Sequence, residues 1–589
     1  MSELVPGPCA RRKRPPGLRG AAGFCALLLL FGCGAAPLPD QTTPKPEPTT
    51  LIYATPGDAS VLIPTLTVDT ASSFVTQFIY DGLAIYDDQL NPHPALAESW
   101  HVEDDRIYTF RIRKGVTFHD GAPLTAEDVR FTFLTIAHPD YQGVRFGDFT
   151  AVKGWEELAR AYEVADAALA EGRVSAEECR RRKLEAYEHF VKTGGLQVPD
   201  PYTFRVEAAY PFAPLFTRLT GYGIMPKHLL EPYISDLAGS PYATRPVGTG
   251  SMSLVEWVRN ERIVLERNPE WRYSLSGEPA KIDRLIIQVV PDQREAVAAL
   301  ERGEADVAGI PPEMATHFRE SVPGVNVYQY AAFMYTFLGY NLNHPTYADL
   351  RVRRAITHAL DRDAMVEQVL GGHGQVVHSH ASPARWDYNP DVPVLPYDPA
   401  EAARLLDEAG WLLGADGLRY KDGQPFVMRL AINVESQLYG ETAAFVQQAL
   451  REVGIQVEIT PMAWEDFLAH ISSEAKETYL LGWSLGFDPD PHSIFHSQGG
   501  FRDITGYANP EADRLIEEGR ATTDVARRRE IYGRLQEVLA EEQVYTWLFA
   551  QDSVVGVSTR VQGVRHGSPR GLFWNWEEWS VNPSPGGAE

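Results

Sequence analysis

A serine flanked by glycines, in the segment Gly482-Trp483-Ser484-Leu485-Gly486, is the residue whose neighbours most directly suggest catalysis. The spacing matches the G-x-S-x-G turn of α/β-hydrolases, in which a helix begins directly after the serine and supports the oxyanion hole. Here Asp488-Pro489-Asp490-Pro491 follows, which is incompatible with such a helix. The motif is also expected by chance in a long chain rich in glycine. We therefore predict that the protein is not an enzyme and has no catalytic residue, with hydrolysis by Ser484 as the alternative from another class.

Three histidines, His373, His378 and His380, lie within eight residues and could hold a divalent metal ion. Their spacing fits neither one face of a helix nor a familiar zinc pattern. The glycines beside them predict an exposed loop. No metal ligand and no cofactor is predicted, and a receptor for nickel or a metal complex remains an alternative.

Aromatic residues form the third set of candidates, because a ring offers a large apolar area at a small entropic cost and is common in ligand clefts. Most aromatic side chains in a chain of this size belong to the core. The candidates for a cleft are Phe333, Tyr335, Trp386 and Trp483.

The elements around residues 96–138 are the clearest in the chain. Side chains alternate between Arg106 and Arg113, with Tyr108, Phe110 and Ile112 on one face, which predicts a half-buried strand. Asp104-Asp105 predicts the turn before it, and a short further strand is predicted from Val116 to Phe118. A helix capped by Thr125 should follow and end before Pro139.

This stretch, with its letters AESW, YTFRIRKGVTFHDG and LTAEDV, resembles family 5 of the extracellular solute-binding proteins, the peptide and nickel receptors of ABC importers. A second block, DLRVRRAITHALDRDAMVEQVL from Asp349 to Leu370, is similar to a helix pair of the same family. The resemblance runs in family order from about Leu51 to the C-terminus.

The resemblance implies an α/β periplasmic-binding-protein fold of type II, with two lobes joined by a hinge and an extra subdomain in the first lobe. A crossing between the lobes is expected near Val290-Pro291-Asp292. The implied domains are a first lobe over 51–290 with a subdomain over 81–199, a helical insertion over 155–193, a second lobe over 291–545, and a return to the first lobe over 546–589.

The resemblance also suggests ligand-binding residues. In peptide-binding relatives a cleft tryptophan corresponds to Trp483, and a carboxylate three residues later pairs with the α-ammonium group of the ligand. Here Gly486 occupies that position, so Asp488 and Asp490 are the nearest candidates. Asp490 could instead cap a short helix that begins at Pro491. Asp69, in a first-lobe loop, is the next candidate.

The first fifty residues read as an export and anchoring segment. Five basic residues precede the apolar run from Ala21 to Phe31, which is too short to span a bilayer but typical of a signal peptide. The run ends at Leu30-Phe31-Gly32-Cys33, which resembles a lipobox, so we predict a signal peptide over 1–32 and lipidation of Cys33. Cleavage near Ala35-Ala36 is the alternative. Residues 33–50, rich in proline and threonine, predict a flexible tether.

Charge and cysteine content agree with an exported binding protein. The formal net charge is −25, and removal of a leader with five basic residues and one acidic residue makes the chain more acidic still. Such acidity argues against nucleic acid and against an anionic membrane surface as partners. Once Cys9 and Cys25 leave with the leader and Cys33 is lipidated, Cys179 has no partner for a disulfide.

We therefore predict a monomeric lipoprotein of the periplasm or cell envelope that captures peptides or similar small organic solutes between two lobes. It would deliver them to the permease and ATPase subunits of an ABC importer, and its membrane contact would be the N-terminal lipid.

Overall fold

A computed structural model describes residues 48–582 of the chain. The predicted signal peptide, the lipidation site Cys33 and most of the predicted tether lie outside these residues. The last part of the tether belongs to the fold, because Thr49 donates its backbone N–H to Asp283 (3.0 Å) and Thr50 begins the first strand.

The elements up to residue 309 build one half of the molecule. In chain order they are β1 (Thr50–Thr55), α1 (Thr70–Ile79), β2 (Ala84–Tyr86), β3 (Pro92–Pro94), β4 (Ala97–Glu103), β5 (Ile107–Ile112), α2 (Ala126–Ala137), α3 (Trp155–Ala170), α4 (Ala176–Thr193), β6 (Leu196–Asp200), β7 (Thr203–Glu207), α5 (Pro214–Gly221), α6 (Lys227–Leu230), β8 (Met252–Val258), β9 (Arg262–Arg267), β10 (Arg284–Val289), α7 (Gln293–Glu301) and β11 (Val307–Gly309).

The remaining elements complete this half with α8 and β12, build the other half from β13 onward, and then return to the first. They are α8 (Ala315–Ser321), β12 (Val325–Ala331), β13 (Met334–Tyr340), α9 (Pro345–Ala348), α10 (Leu350–His358), α11 (Arg362–Leu370), β14 (Gly374–Val376), α12 (Pro399–Glu408), β15 (Leu412–Leu413), β16 (Arg419–Lys421), β17 (Gln424–Pro425), β18 (Val427–Asn433), α13 (Gln437–Glu452), β19 (Gln456–Met462), α14 (Trp464–Ile471), β20 (Thr478–Ser484), α15 (His492–Phe495), α16 (Arg502–Thr505), α17 (Pro510–Arg520), α18 (Val525–Glu541), β21 (Tyr545–Ser558), β22 (Val561–Gln562) and β23 (Ser580–Val581).

One twelve-stranded mixed sheet runs through both halves, in the order β19-β18-β20-β13-β21-β11-β1-β10-β9-β8, with β12 and β14 also paired to β21. Strand β21 is shared, because its first half pairs with β13 and β14 and its second half with β11 and β12. We call the part before residue 332 together with 553–582 the first lobe, and residues 334–549 the second lobe.

Strand partners change at two places, between β12 and β13 and in the middle of β21. Ala331 still pairs with Asp552, whereas Thr336 pairs with Phe549. The segment Val290-Pro291-Asp292 lies elsewhere, since the strands on both sides of it, β10 and β11, pair with β1. The crossing expected at residues 290–292 therefore does not coincide with the change of partners.

The stretch around residues 96–138 forms a four-stranded sheet, in the order β4-β5-β7-β6, that packs against α2. Tyr108, Phe110 and Ile112 are buried on one face, as their alternation predicts. The turn residues Asp104 and Asp105 both have positive φ, at 51° and 52°, a conformation that aspartate tolerates better than most residues. The strand predicted from Val116 to Phe118 is reduced to a single antiparallel bridge pair, Thr117 with Pro123, on either side of the turn at residues 119–121.

The insertion forms the helical pair α3 and α4, which corresponds to the helices predicted over 155–193. Trp155, Leu158 and Phe190 join the hydrophobic core of the small sheet, which ties the pair to the first lobe. Cys179 is free and buried in this pair. Within residues 48–582, no helix combines the length and apolar character that crossing a bilayer requires.

Candidate functional site

A cavity of about 590 Å³ lies where the first lobe faces the loop of residues 486–490 from the second lobe. The first lobe contributes most of its wall, from α1 and the residues after it, β2, α5, and the segments around residues 145, 271 and 573. The volume lies in the range typical of small-molecule sites. The site is therefore assembled from chain segments far apart in sequence.

Helix α1 orients one side of the wall. Its N-cap, Asp69, accepts a hydrogen bond from the backbone N–H of Ser72 (2.6 Å) and from the hydroxyls of Ser60 and Ser72. These bonds favour the charged form and lower the pKa of Asp69, although its partial burial opposes the shift. The helix consequently starts at Thr70. The Asp69 carboxylate is engaged as a cap and lies outside the cavity lining.

Asp81 follows the C-terminal end of α1 and lines the cavity. It accepts hydrogen bonds from the indole N–H of Trp271 (3.0 Å) and from the hydroxyl of Thr249 (2.9 Å). Burial nevertheless raises the pKa of Asp81 to about 6, because neither donor carries a positive charge.

Glu577 is a second buried carboxylate of the first-lobe wall. It lies in the 3₁₀ segment Leu572–Glu578, is 5% exposed and lines the cavity. Within residues 48–582 its carboxylate has no ion pair, and burial raises its pKa to about 7 despite its own backbone N–H and the charge of Arg570. The sequence did not point to it, although its position in the run Trp574-Asn575-Trp576-Glu577, a carboxylate among large aromatic rings, was a detectable pattern.

Three arginines, Arg145, Arg218 and Arg570, also line the cavity. Arg218 donates to the backbone carbonyl of Asp148 and lies 3.9 Å from its carboxylate. Arg570 donates to the carbonyls of Tyr86 and Trp574, and burial lowers its pKa. The cavity thus presents both acidic and basic groups.

The loop of residues 485–491 carries the second lobe's contribution. Its start is held by the backbone N–H of Leu485, which donates to the carbonyl of Phe333 (2.9 Å). Phe487 then reaches across, with its ring centroid 5.5 Å from that of Tyr86 in the first lobe. The loop therefore contacts both lobes beside the cavity.

Asp488 lines the cavity and forms a bidentate ion pair with Arg528, at 2.7 and 2.9 Å. The two side chains are 13% and 6% exposed. Burial opposes charge on Arg528, but Asp488 holds the pKa of Arg528 above its ordinary value. The role of Asp488 as anchor for a ligand's ammonium group stays a prediction, and its existing cationic partner argues against it.

Asp490 also lines the cavity. Its carboxylate lies 3.2 Å from Nε of Arg520 and accepts the backbone N–H of His492, the first residue of α15, at 3.1 Å. Burial raises the pKa of Asp490, and the charge of Arg520 counteracts part of that shift. The contact to His492 is the helix-start interaction considered in the sequence analysis, although the helix begins one residue later than Pro491.

Three of the predicted aromatic candidates lie in and around the core of the second lobe, outside the cavity lining. The fourth, Phe333, lies between β12 and β13, also outside the lining, with its ring centroid 6.5 Å from that of Phe487. Tyr335 is 1% exposed, with its ring centroid 5.5 Å from that of Trp547. Trp483 packs beside Phe337 and Phe501. Trp386 lies under the guanidinium of Arg528 at 5.6 Å, and so acts on the site through the partner of Asp488.

The histidine segment differs from the predicted exposed loop. His373 and His380 are buried, because β14 between them adds to the edge of β21. Burial lowers the pKa of His378 to about 4 and that of His380 well below its usual value. Among residues 48–582, no three histidine, cysteine or acidic side chains are grouped closely enough to hold a metal ion.

Ser484 does not sit on a nucleophile elbow. It is the last residue of β20, and the next helix, α15, begins only at His492. The backbone N–H groups that would support an oxyanion hole at a helix start are therefore not beside it.

The lobes touch at two further places near the cavity. The backbone N–H of Thr523 donates to the carboxylate of Asp105 (3.0 Å), as does the Thr523 hydroxyl, and the backbone N–H of Ala213 donates to the carbonyl of Arg520 (2.7 Å). The turn at Asp104-Asp105 thereby links the small sheet of the first lobe to the second lobe.

Residues 91–504, which include the second-lobe loop and in all about half of the residues that line the cavity, match the family described as bacterial extracellular solute-binding proteins, family 5. The chain belongs to this family. The solute-binding protein is 29% identical over 541 residues to the oligopeptide-binding protein AppA of Bacillus subtilis, covering 90% of this chain and 91% of that protein. It is 27% identical over 480 residues to a dipeptide-binding protein of Escherichia coli, covering 76% of this chain and 79% of that protein.

Solved structures agree with this assignment. The complex of AppA from Bacillus subtilis with a nonapeptide superposes with a TM-score of 0.69 at 26% identity and covers 91% of this chain and 100% of that chain. NikZ from Campylobacter jejuni, solved with Ni(L-His), has a TM-score of 0.70 at 23% identity, covers 90% of this chain and 99% of that chain, and supports the fold alone. The predicted family and the two-lobed α/β fold are confirmed, and the family consists of extracellular solute-binding proteins rather than enzymes.

Proposed function

We propose that this solute-binding protein captures short peptides in the cavity between its lobes and delivers them to the permease of an ABC importer. The observation that carries the proposal is the cavity itself, whose wall holds two acidic groups, the half-buried Asp81 and the buried Glu577, together with the basic Arg145. A peptide carries both a cationic and an anionic end, and so complements such a wall. The relatives named as oligopeptide- and dipeptide-binding proteins support the same class of ligand.

Capture by closure requires that the ligand contact both lobes, since only differential affinity for the closed form can shift the equilibrium between open and closed states. The cavity meets this requirement, because the loop of residues 486–490 faces the first-lobe wall. Strand partners change near residues 331–334 and 549–552. A hinge at these two places would break the fewest hydrogen bonds of the shared sheet, because few strand pairings cross them. We propose these two places for the hinge, in preference to the crossing expected at residues 290–292.

Mass spectrometry of the small molecules that copurify with the protein tests the proposed function. We expect peptides of a few residues that are released when the protein is unfolded. Recovery of a metal chelate without peptide would instead support the nickel-receptor alternative, and a non-peptide organic solute would narrow the ligand to another class.

The contact between Asp105 and Thr523 should stabilise the closed form. Replacement of Asp105 by alanine removes two hydrogen bonds between the lobes, each worth about 0.5–1.5 kcal/mol. We expect Asp105→Ala to increase the radius of gyration measured by small-angle scattering in the presence of bound peptide, and to weaken peptide affinity about 5- to 150-fold. Asp104→Ala is the matched control, because it alters the same turn at a residue with the same φ. Equal behaviour of the two variants would show that the contact does not bias closure.

We also propose that the protein is a lipoprotein anchored by Cys33, which lies outside the described residues. The apolar run before Gly32-Cys33 supports this proposal. We expect wild-type protein in the membrane fraction and Cys33→Ser in the soluble fraction, with Cys9→Ser as a control that leaves the distribution unchanged. A soluble wild-type protein whose N-terminus lies at or beyond Ala35 would contradict lipid anchoring.

A further inference from the structure

The acidic groups of the cavity differ in what already neutralises them. Asp488 and Asp490 each lie beside an arginine of the second lobe, at 2.7 and 3.2 Å, and Asp148 lies 3.9 Å from Arg218. Asp81 accepts hydrogen bonds from Trp271 and Thr249. Of the five cavity carboxylates in the described part of the chain, Glu577 alone has neither an ion pair nor a hydrogen bond from another residue.

A carboxylate as buried as Glu577 is unfavourable without a cationic or hydrogen-bonding partner. Arg570, whose positive charge lowers the pKa of Glu577, directs one guanidinium nitrogen to the backbone carbonyls of Tyr86 and Trp574 and forms no ion pair with Glu577 within 4.0 Å. Burial raises the pKa of Glu577 to about 7, as expected for a carboxyl group that lacks a partner in the ligand-free protein. Because Glu577 lines the cavity, a ligand can supply the missing partner.

The surroundings of Glu577 favour a cation in particular. Trp271, Phe573 and Trp576 line the same cavity and are each less than 10% exposed. Aromatic faces beside a carboxylate stabilise ammonium groups, because the ring quadrupole attracts positive charge and the rings exclude water. The first-lobe wall thus combines an unpaired acid with an aromatic lining.

We propose that Glu577 binds the α-ammonium group of the captured peptide, so that the N-terminus of the peptide is held by the first lobe. This inference rests on the proposed peptide-binding function and names the group that recognises the peptide. It differs from anchoring at Asp488 or Asp490, whose carboxylates already bind arginines of their own lobe.

The test compares free and blocked peptides. Protein freed of copurified ligand by unfolding in guanidinium and refolding is offered equal amounts of Ala-Xaa-Ala tripeptides with a free amine and with an acetylated amine, and the retained peptides are quantified by mass spectrometry. We expect the wild type to prefer the free-amine forms and Glu577→Gln to lose about thirtyfold or more of that preference. Glu578→Gln is the matched control, since the neighbouring carboxylate pairs with Arg565 (2.7 Å) and lies outside the cavity lining, and it should keep the preference.

The outcomes separate the two proposals. Retention of both peptide forms alike by the wild type, or an undiminished preference in Glu577→Gln, would overturn the role of Glu577 while leaving peptide binding intact. Loss of the preference in Asp488→Asn but not in Glu577→Gln would move the anchor to the second lobe. Retention of neither form by the wild type would contradict the proposed function itself. If Glu577→Gln does not refold, Glu577→Asp keeps the charge at a shorter reach and should weaken the preference, and an unchanged preference would again overturn the assignment.

Discussion

Replacement of Asp488 by alanine should lower the free energy of unfolding of the ligand-free protein by about 3–5 kcal/mol, the scale for leaving one partner of a buried ion pair uncompensated. Arg528 is 6% exposed, and both of its terminal nitrogens donate to Asp488. Its guanidinium also lies over the rings of Trp386 and Tyr532, at 5.6 and 5.4 Å, so it cannot turn to solvent without breaking that packing. Urea unfolding of the refolded, ligand-free protein measures the change.

A second ion pair, which lies on the helix α18 that also carries Arg528, supplies the control. Glu530 lies 3.0 Å from Arg527, and their side chains are 70% and 58% exposed. Because solvent screens such a pair, Glu530→Ala should change the free energy of unfolding by less than about 1 kcal/mol. The double variant Asp488→Ala/Arg528→Met should recover much of the loss, because it removes the unpaired charge. A loss in Asp488→Ala no larger than in Glu530→Ala would mean that water reaches Arg528 and that the carboxylate is free for a ligand.

This ion pair also explains why the predicted ligand contacts were only partly informative. Asp488 and Asp490 were selected because they lie near Trp483 in sequence, and both line the cavity. Their arginine partners come from α17 and α18, thirty and forty residues later, and nothing in the local sequence indicates which arginine will meet which carboxylate. Spacing can place a charge in a loop, whereas neutralisation of that charge depends on tertiary packing.

The same distinction applies to the fold. Alternation around Tyr108 and Phe110 predicted β5, because a strand with one buried face has apolar and polar residues in alternation along its own sequence. The histidine segment was predicted as an exposed loop because its glycines favour turns. It is covered because β14 pairs with β21, more than 170 residues later. The shared strand β21 likewise takes its partners from both lobes, β13 and β14 along its first half and β11 and β12 along its second, all from residues more than 170 positions earlier.

Asp81 and Glu577 were missed for a related reason. The cavity exists only after the end of α1, the segment near Trp271 and the C-terminal 3₁₀ segment come together. Only Glu577 stands in a suggestive run, among the aromatic rings of residues 574–576, and the altered pKa of both carboxylates arises from burial in the folded protein. Recognition of the family predicted the two-lobed fold, but the chemistry of the wall follows from this chain's own side chains.

The buried position of Glu577 should reduce the stability of the empty protein at neutral and alkaline pH. The carboxyl titrates near its ordinary value of 4.5 in the unfolded chain and at about 7 in the folded protein. Between these values the folded state binds more protons than the unfolded state, so the free energy of unfolding falls as pH rises through this window. Above pH 7 the full penalty applies, about 3 kcal/mol for a shift of this size.

Glu577→Gln removes the ionisable group while keeping nearly the same shape. We therefore expect the ligand-free variant to be more stable than the wild type by about 1–3 kcal/mol at pH 8, and to lose this advantage as the pH falls toward 4.5. Urea unfolding at several pH values measures the difference, with Glu578→Gln as the control that should show no such window. If the difference in unfolding free energy between the variant and the wild type does not change with pH, the Glu577 carboxylate already has a cationic or hydrogen-bonding partner in the empty protein. A gain in stability combined with weaker peptide binding would instead indicate that the first lobe tolerates an unpaired carboxylate because its partner arrives with the peptide.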